Sequence, residues 1–568
     1  MCEAARCDSL SHRLMSRVPR HYLGKTLIKQ MIIRRYSYKE QLALNSSTAR
    51  TETITAFVGR TLRGPVNTPV TLHSFAEFQQ IFGGLWQPSP LSYAIEHYFE
   101  HGGRCAVIVR VVNGGASATI KLPCGLQALT LEALTVGSRE FLRASVDYDN
   151  LRTQDSDYFN LVVQRVRAHH SEYIEAQETY RRVSVNPTTN RFISTVLAES
   201  HLIRVRGEVP SQRPELTPSH KNHYVVGYID SNTDGDDGAP LTDYDVIGSA
   251  TEGTGLFALS QLERIDFVYV PPLSRDSDVG ASTLLAASHF CRAHHAMLIV
   301  DPPARWNSCD AALQGIREFN FRNDQALMFF PRLVGFDRLR GRNDVFANGG
   351  AVAGMLSHAD ETYPLWALTQ AEPDLVLRPT LRLQLELKEI ERWRLAALGV
   401  NALHQSRRSQ AVRLVRRTLA GGVSAAADWG YIAAHRFALH VVATLERNTR
   451  WVVLATPNRS MWARLLRQIT DYFQELVAVG AFPAVQAGQE FFVVCDERLN
   501  TIATGAVELA PEIKILVGFA ALHAGQYHSF IINHSVAGSH TRAVAVNRYL
   551  ASSEFDEREL PQDLLALR

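Results

Sequence analysis

The sequence predicts a multi-domain α/β fold, and three stretches carry that reading. Residues 54–112 run strand–turn–strand–helix–helix–strand. Between residues 262 and 333 lie three short hydrophobic strands, separated by helical stretches. A long amphipathic helix and three further strands follow residue 459. Strands alternating with helices imply a parallel sheet with crossover helices.

In the first stretch, "TITAFVGR" reads as a strand from Ile54 to Val58, stopped by Gly59. "RGPVNTPVTL" is a Gly/Pro turn leading into a second strand. "SFAEFQQIFGG" places Ser74 at an N-cap with Glu77 three residues on, the capping-box spacing. Phe75, Phe78 and Phe82 then share one helical face, and Gly83-Gly84 stops the helix. "PLSYAIEHYFEHGG" is a second amphipathic helix, and "CAVIVRVV" a buried strand. A short strand is also expected at Met31–Tyr38.

From about Gly125 to Glu215 the texture changes to an inserted α+β module. "DYFNLVVQRV", "YIEAQETYRRVSV" and "HLIRVRGEV" are strand-like there, and "NRFISTVLAES" is helical. "LERIDFVYVPP", "HHAMLIVDPP" and "QALMFFPRL" are the three strands of the expected parallel sheet. "WGYIAAHRFALHVVATLERNTRWVVLATP" reads as a helix and then a strand. "EFFVVCD", "EIKILVGFA" and "YHSFIINHS" are strands before a polar tail.

With 568 residues the chain exceeds one core, since domains run to about 100–200 residues. Its 46% apolar and 20% charged residues are ordinary for a globular protein. A net charge of +2 argues against general polyanion binding and leaves room for a local basic patch. Seven cysteines are scattered without a CxxC, so neither a zinc knuckle nor a redox pair is expected. Cys105, Cys291 and Cys495 sit in apolar stretches and read as small buried hydrophobes, a usage that fits a reducing compartment. No segment reaches the roughly 18 apolar residues of a membrane span. Residues 1–40 carry nine Lys/Arg against three Asp/Glu and no apolar run, unlike a secretory signal. A disordered basic arm, or a start at Met15 or Met31, are both open.

Catalytic signatures fail one by one. "LGKT" (Leu23–Thr26) resembles the end of a phosphate-binding loop, yet Pro19 stands where a glycine must let backbone N–H groups approach phosphate. Asp230, Asn232, Asp234, Gly235 and Asp236 match half of a calcium loop, but the twelfth position is Leu241 and not a bidentate Glu. A solvated acidic turn is the expectation. Asp266, Asp301 and His294 are candidates for a serine triad, without any G-x-S-x-G frame to fix a nucleophile. Neither His294-His295, read as strand neighbours facing opposite ways, nor His169-His170 has an HExxH partner. No catalytic, cofactor or metal residue is predicted.

The helix Ser460–Ala478 carries a wide apolar stripe of Met461, Trp462, Leu465, Leu466, Ile469, Tyr472, Phe473 and Leu476. Its other face opens with Arg459, Arg464 and Arg467 and ends with Asp471 and Glu475. A core helix with a solvated face is one reading. A docking helix whose basic half meets an acidic partner is the other.

The opening stretch resembles the tail sheath proteins of contractile phage tails and contractile injection systems. That resemblance rests on "FVGRTLRGPVNTP" (Phe57–Pro69, with Gly59, Arg60, Gly64 and Pro65), "SFAEFQQIFGG" and "YFEHGGRCAVIVRV". It continues through the stretch from Tyr158 to Val205, similar to the family's protruding module, and "DGDDGAPLTDYDVIGSATEGTGLFALSQLERIDFVYVP". "LIVDPP" and "GAVAGMLSHAD" (Gly350–Asp360) resemble strand motifs of its subtilisin-like domain. "RRTLA", "ATPNRSMWARL" and "FFVVCDERLNT" look like its C-terminal domain. Each match is short, and their shared order over roughly residues 50–535 is what makes them specific. "RRYSYKEQL" replaces the family's N-terminal strand motif, and "HQSRRSQAVRLV" its Gly-rich run.

The resemblance implies an α/β core of subtilisin-like fold, a C-terminal α+β sheath domain and an inserted β-rich protruding domain. The expected limits are a basic arm with an exchange strand at 1–49, core at 50–124, protruding domain at 125–240, subtilisin-like domain at 241–410, C-terminal domain at 411–540 and a tail at 541–568. It further implies a structural subunit, not an enzyme, needing no cofactor and binding neither nucleic acid nor membrane directly. Implied partners are other copies in a helical homopolymer of stacked, hexameric rings, then an inner tail tube protein, a baseplate and a tail terminator. Implied inter-subunit strand exchange falls on Ile32, Ile33 and Tyr36, and on Phe530, Ile531 and Ile532. Arg459, Arg464 and Arg467 are the implied tube contact. Assembly in the bacterial cytoplasm is expected, into a virion tail or injection particle. The rivals are a baseplate or tail-terminator subunit and a subtilisin-like hydrolase.

Overall fold

The structure, a computed structural model, describes residues 52–152, 156–169, 171–218, 227–370, 375–405, 411–414, 417–420, 432–455, 458–483, 488–496, 499–500, 512–523 and 526–544. Ile32, Ile33 and Tyr36, of the expected N-terminal exchange strand, lie outside these residues. Two compact units divide the chain. The larger comprises Thr51–Pro364 and Glu372–His435, and the described part of the smaller falls in Leu365–Ala371 and Arg436–Arg568.

The larger unit enters on β1 (Ile54–Gly59) and turns into β2 (Val70–Leu72). Helices α1 (Phe75–Phe82) and α2 (Pro90–Glu100) follow, and the chain returns as β3 (Cys105–Arg110). Ser74 caps α1 through its side-chain oxygen, which accepts from Glu77 N at 3.2 Å. Glu77 in turn accepts from the N–H of His73, one residue before the cap, at 2.8 Å. Phe75, Phe78 and Phe82 stack along the helix at 5.7 and 5.4 Å, as their spacing predicts.

Residues 117–230 then build two antiparallel sheets. Their strands are β4 (Ser117–Cys124), β5 (Gln127–Val136), β6 (Phe141–Asp147), β7 (Tyr158–Val166), β8 (Ile174–Ser184), β9 (Ile203–Val205) and β10 (Ile229–Asp230). The orders are β4-β5-β9 and β10-β6-β7-β8, and one core of Leu122, Leu131, Leu142, Phe159, Leu161 and Val163 lies between the sheets. This stretch begins about eight residues before the texture change at Gly125, with Ser117–Cys124 a strand that buries Ala118, Ile120, Leu122 and Cys124 at period two. Among its described residues, helix is confined to Ile193–Val196 and the 3-10 turn Leu197–Glu199.

β11 (Phe267–Tyr269), helix α3 (Ala281–Ala293), β12 (Met297–Val300), helix α4 (Cys309–Glu318) and β13 (Ala326–Phe330) come next. After them run β14 (Leu333–Asp337), β15 (Arg342–Phe346), helix α5 (Gly349–Thr362), β16 (Leu375–Val376), β17 (Leu381–Leu383), helix α6 (Glu389–Ala397), β18 (Asn401–Gln405) and β19 (Ala411–Leu414). Nine strands form one sheet in the order β16-β19-β18-β13-β12-β11-β1-β3-β2. The six from β18 to β3 are mutually parallel, with antiparallel strands at both ends. β3, β12 and β13 are buried along their whole length, as expected for a parallel sheet covered on both faces. Alternate residues Ala56, Val58, Val107, Val109, Val268, Leu298 and Met328 meet Leu284, Phe290, Cys291 and Ile316 of α3 and α4.

"GAVAGMLSHAD" is helical, inside α5, and not the strand its resemblance suggested. Its small residues suit a close helix contact: a Cβ on Gly350 would fall 2.2 Å from the Ala94 carbonyl of α2.

The smaller unit holds most of helix α7 (Ile432–Thr449), helix α8 (Arg459–Ala478) and an antiparallel sheet. The sheet runs in order β20 (Phe491–Val494), β21 (Ile513–Phe519), β22 (His528–Ser535) and β23 (Gly538–Val544). Phe473 of α8 stacks on Phe491 at 4.7 Å and lies 5.7 Å from Phe519, which Phe437 approaches at 6.0 Å. "RWVVL", expected as a strand, is the 3-10 turn Arg450–Leu454, a tightening of the chain directly after α7. The first residues of the expected polar tail are instead β23, folded back on β22 by a turn at 536–537. Among the described residues no helix is long and apolar enough to cross a membrane.

Candidate functional site

The turn between β1 and β2 is held by arginines. Arg110, at the end of β3 and 1% exposed, donates to the carbonyl of Gly64 at 2.7 Å and to that of Val136 at 2.5 Å. Burial pushes its pKa down to about 10, against the opposing pull of Glu140 and Asp237, so it stays charged at neutral pH. Arg60 donates to the carbonyls of Asp237 and Gly238 at 2.7 and 3.1 Å, and its guanidinium lies 4.9 Å from the Trp86 ring centre. Arg63 pairs with Glu175 of β8 at 2.6 Å and donates to Gln80. Glu175 also meets Arg165 at 3.7 Å.

Gly64 takes φ +106°, and a Cβ there would lie 2.5 Å from the ring of Phe82. Gly59 accepts from Val111 N at 2.9 Å, and Pro65 leads from the glycine into a single parallel bridge between Val66 and Arg110. The motif therefore fastens one end of the nine-stranded sheet to the strands of residues 117–238. Nothing in it is arranged to do chemistry. Arg63, Arg110, Glu175 and Asp237 were not singled out from sequence; the one signal was a charge inside the apolar run "CAVIVRVV".

The catalytic candidates hold structural positions. Asp266 accepts from Ile54 N and from Arg264, both at 2.8 Å. Asp301 is buried and accepts from the Tyr269 hydroxyl at 2.6 Å and Gly349 N at 2.9 Å; burial pushes its carboxyl up. His294 caps the C-terminus of α3, stacked on Phe290 at 4.2 Å, and His295 follows with φ +54°. The pair thus sits at a helix end, where the sequence had suggested a strand. In the acidic turn, Asp237 accepts from the N–H and hydroxyl of Ser138 at 2.8 Å, and Asp236 from Gly238 N at 2.6 Å. Asp236 thus serves the loop's own backbone, and Asp237 ties the loop to Ser138.

A cavity of about 260 Å³ opens beyond β11, β12 and β13, lined by Pro272, Ala304 and Arg332. The C-terminal ends of parallel strands are where open α/β sheets hold ligands. Here ion pairs line the place. Arg275 bonds Asp337 and Asp344, each at 2.6 Å, Arg340 bonds Asp344 at 2.5 Å, and Arg332 bonds Asp278 at 2.5 Å. Tyr93 donates to Asp337 at 3.0 Å, its hydroxyl pushed up to about 12 by burial first and by that carboxylate second.

In the smaller unit, Arg459, Arg464 and Arg467 all lie on the exposed face of α8. Arg464 stacks over Trp451 at 4.6 Å. The opposite face buries Met461, Trp462, Leu465, Ile469, Tyr472, Phe473 and Leu476. This is the arrangement expected of a core helix with a solvated face. Phe530, Ile531 and Ile532 are buried in β22, which pairs with β21 on one side and β23 on the other. The outer strands of this sheet are β20 and β23.

No family model matches the sequence, and no curated protein matches it. Solved structures do. A sheath tail protein of Listeria innocua superposes with a TM-score of 0.59 at 12% identity, covering 88% of this chain and 99% of that one. One from Desulfitobacterium hafniense gives a TM-score of 0.50 at 11% identity, covering 85% and 97%. At such identities the likeness speaks for the fold. Over 88% of its length the chain shares its fold with the sheath tail protein of Listeria innocua.

Proposed function

We propose that the chain is a structural subunit of a contractile sheath, which polymerises helically around an inner tube and contracts to drive that tube through a target envelope. One observation carries the reading: the fold follows that of a sheath tail protein over nearly its entire length. Heterologous contacts that close around six copies would generate hexameric rings, and non-closing contacts would stack those rings into a helical polymer. Contraction would then be a rigid-body rearrangement toward a lattice with more buried interface, needing no nucleotide. Baseplate and tail-terminator proteins would meet the two ends, and the particle would be assembled in the bacterial cytoplasm.

Within this reading the larger unit is the subtilisin-like core, and residues 117–230 form a protruding domain that faces outward. Arg459, Arg464 and Arg467 supply a solvated, reversible polar contact to the tube. Strand exchange between neighbours is β-augmentation of the C-terminal sheet. Because β22 is paired on both sides, an incoming strand would meet β20 or β23, or replace β23 beside Phe530–Ile532.

A baseplate or terminator subunit is the alternative, and it would form discrete rings. A hydrolase has the least support, since the cavity at the strand ends is lined by arginines already paired with carboxylates. Negative-stain electron microscopy of the purified chain, with and without residues 1–38, separates these readings. Long hollow tubes from the full chain, with monomers from the truncation, are the expected result. Discrete rings from the full chain would overturn it in favour of a baseplate part.

A further inference from the structure

Three residues of different ligand chemistry meet at one end of the nine-stranded sheet. Glu52 lies two residues before β1, His73 directly after β2, and Cys105 opens β3. One ligand atom from each, a carboxylate oxygen, an imidazole nitrogen and the thiol sulfur, lie within 4.8 Å of one another. His73 Nδ1 and the Glu52 carboxylate are 3.6 Å apart.

The backbones that carry them are tied down. Cys105 pairs in register with Ile54, His73 N donates to Glu77 at 2.8 Å, and Arg264 donates to the Glu52 carbonyl. Cys105 is 4% exposed, whereas the side chains of Glu52 and His73 are 45% and 58% exposed. A fixed sulfur thus lies beneath two side chains free to turn. Tetrahedral zinc, with bonds of about 2.0–2.3 Å, holds its ligand atoms about 3.5 Å apart, a closing movement of about 1 Å from the separations seen here. The carboxylates around the site are largely balanced by arginines, with three acids facing two guanidiniums. Asp266 bonds Ile54 N, Asp360 accepts from Thr53 at 2.8 Å, and Glu361 stands within electrostatic reach of Glu52, against Arg264 and Arg104.

We propose that Glu52, His73 and Cys105 form a binding site for a zinc-type divalent metal, with solvent in the fourth position. Mixed sulfur, nitrogen and oxygen ligands select zinc or cobalt over the all-oxygen preference of calcium and magnesium. Binding forms the metal–sulfur bond and releases the thiol proton to solvent. The metal would clip the start of β1 to the β2–α1 loop and to β3. The site belongs to the larger unit alone, so it stands or falls separately from sheath assembly.

Cobalt(II) titration of the full chain tests it, because thiolate ligation produces a near-ultraviolet charge-transfer band. The expected result is a band saturating at one equivalent, displaced by zinc, and absent in Cys105→Ser. His73→Ala, at an exposed position, should fold normally and weaken cobalt binding at least about tenfold. Zinc should raise the melting temperature of the wild type and leave that of His73→Ala unchanged. Absence of the band in the folded wild type, or a band of unchanged affinity in His73→Ala, would overturn the proposal. If Cys105→Ser does not fold, His73→Ala and Glu52→Gln decide it.

Discussion

The guanidinium of Arg110 reaches the carbonyl of Gly64 at 2.7 Å from inside the parallel sheet, joining a strand end to a turn 46 residues earlier. A buried charge is tolerable there because two of its nitrogens donate to backbone carbonyls and the carboxylates of Glu140 and Asp237 stand close enough to favour it, although Nε is left without a partner. Arg110→Met should cost about 2–4 kcal/mol of unfolding free energy, since it leaves the Gly64 and Val136 carbonyls unsatisfied. Arg110→Lys should recover little, because an ammonium cannot span two diverging acceptors. Denaturant unfolding reads both; a loss under about 0.5 kcal/mol for Arg110→Met would remove the arginine from its structural role.

Gly64→Ala combines a left-handed backbone with a collision against Phe82, and is expected to cost about 1–3 kcal/mol. Gly341→Ala is the control, with φ +66° and open space around the added Cβ. It should cost about 1 kcal/mol or less. Equal losses at the two sites would mean that Phe82 moves freely aside.

Acid should weaken the smaller unit through His534. Burial pushes this imidazole down to about 4, with Glu446 opposing and Arg450 assisting; its ring nitrogens meet Thr449 at 2.7 Å and Ser539 at 2.8 Å. Between pH 6.5 and about 4 the unfolded chain takes up a proton that the folded ring refuses. Stability therefore falls as pH drops through that window, by roughly 3 kcal/mol in full. His534→Gln should flatten this part of the profile. An unchanged slope would assign the acid sensitivity to groups other than His534.

Charge reversal on α8 probes the proposed tube contact. Arg459→Glu, Arg464→Glu and Arg467→Glu together should lower co-sedimentation with the cognate tube about tenfold or more, with a marked salt dependence, while the melting temperature stays within a few degrees. Undiminished co-sedimentation would exclude this face.

Ile532→Ala should destabilise the isolated subunit by about 2–4 kcal/mol, because the residue is fully buried within its own chain. If the subunit kept its stability and only assembly suffered, β22 would be serving a neighbour.

Hydrophobic periodicity was enough to place β1, β3, β11, β12 and β13 and the stripe of α8, because each repeats its apolar residues at the period of a buried strand or helix face. The Gly-Pro turn and the Ser74 cap were equally legible, since both depend on near neighbours in the chain. Short or small-residue runs were not. "RWVVL" and "GAVAGMLSHAD" fit strand and helix alike until the preceding helix α7, and the packing of α5 on α2, decided between them.

By itself the sequence determined the order of elements and the kind of fold they assemble. Tertiary structure alone decided what meets what: Arg110 with Gly64, Arg63 with Glu175, and Glu52 with His73 and Cys105. The reason is physical. Local periodicity and turn chemistry act over a few residues, whereas these groups are brought together only when β1, β2 and β3 pair and the strands of residues 117–238 close against them.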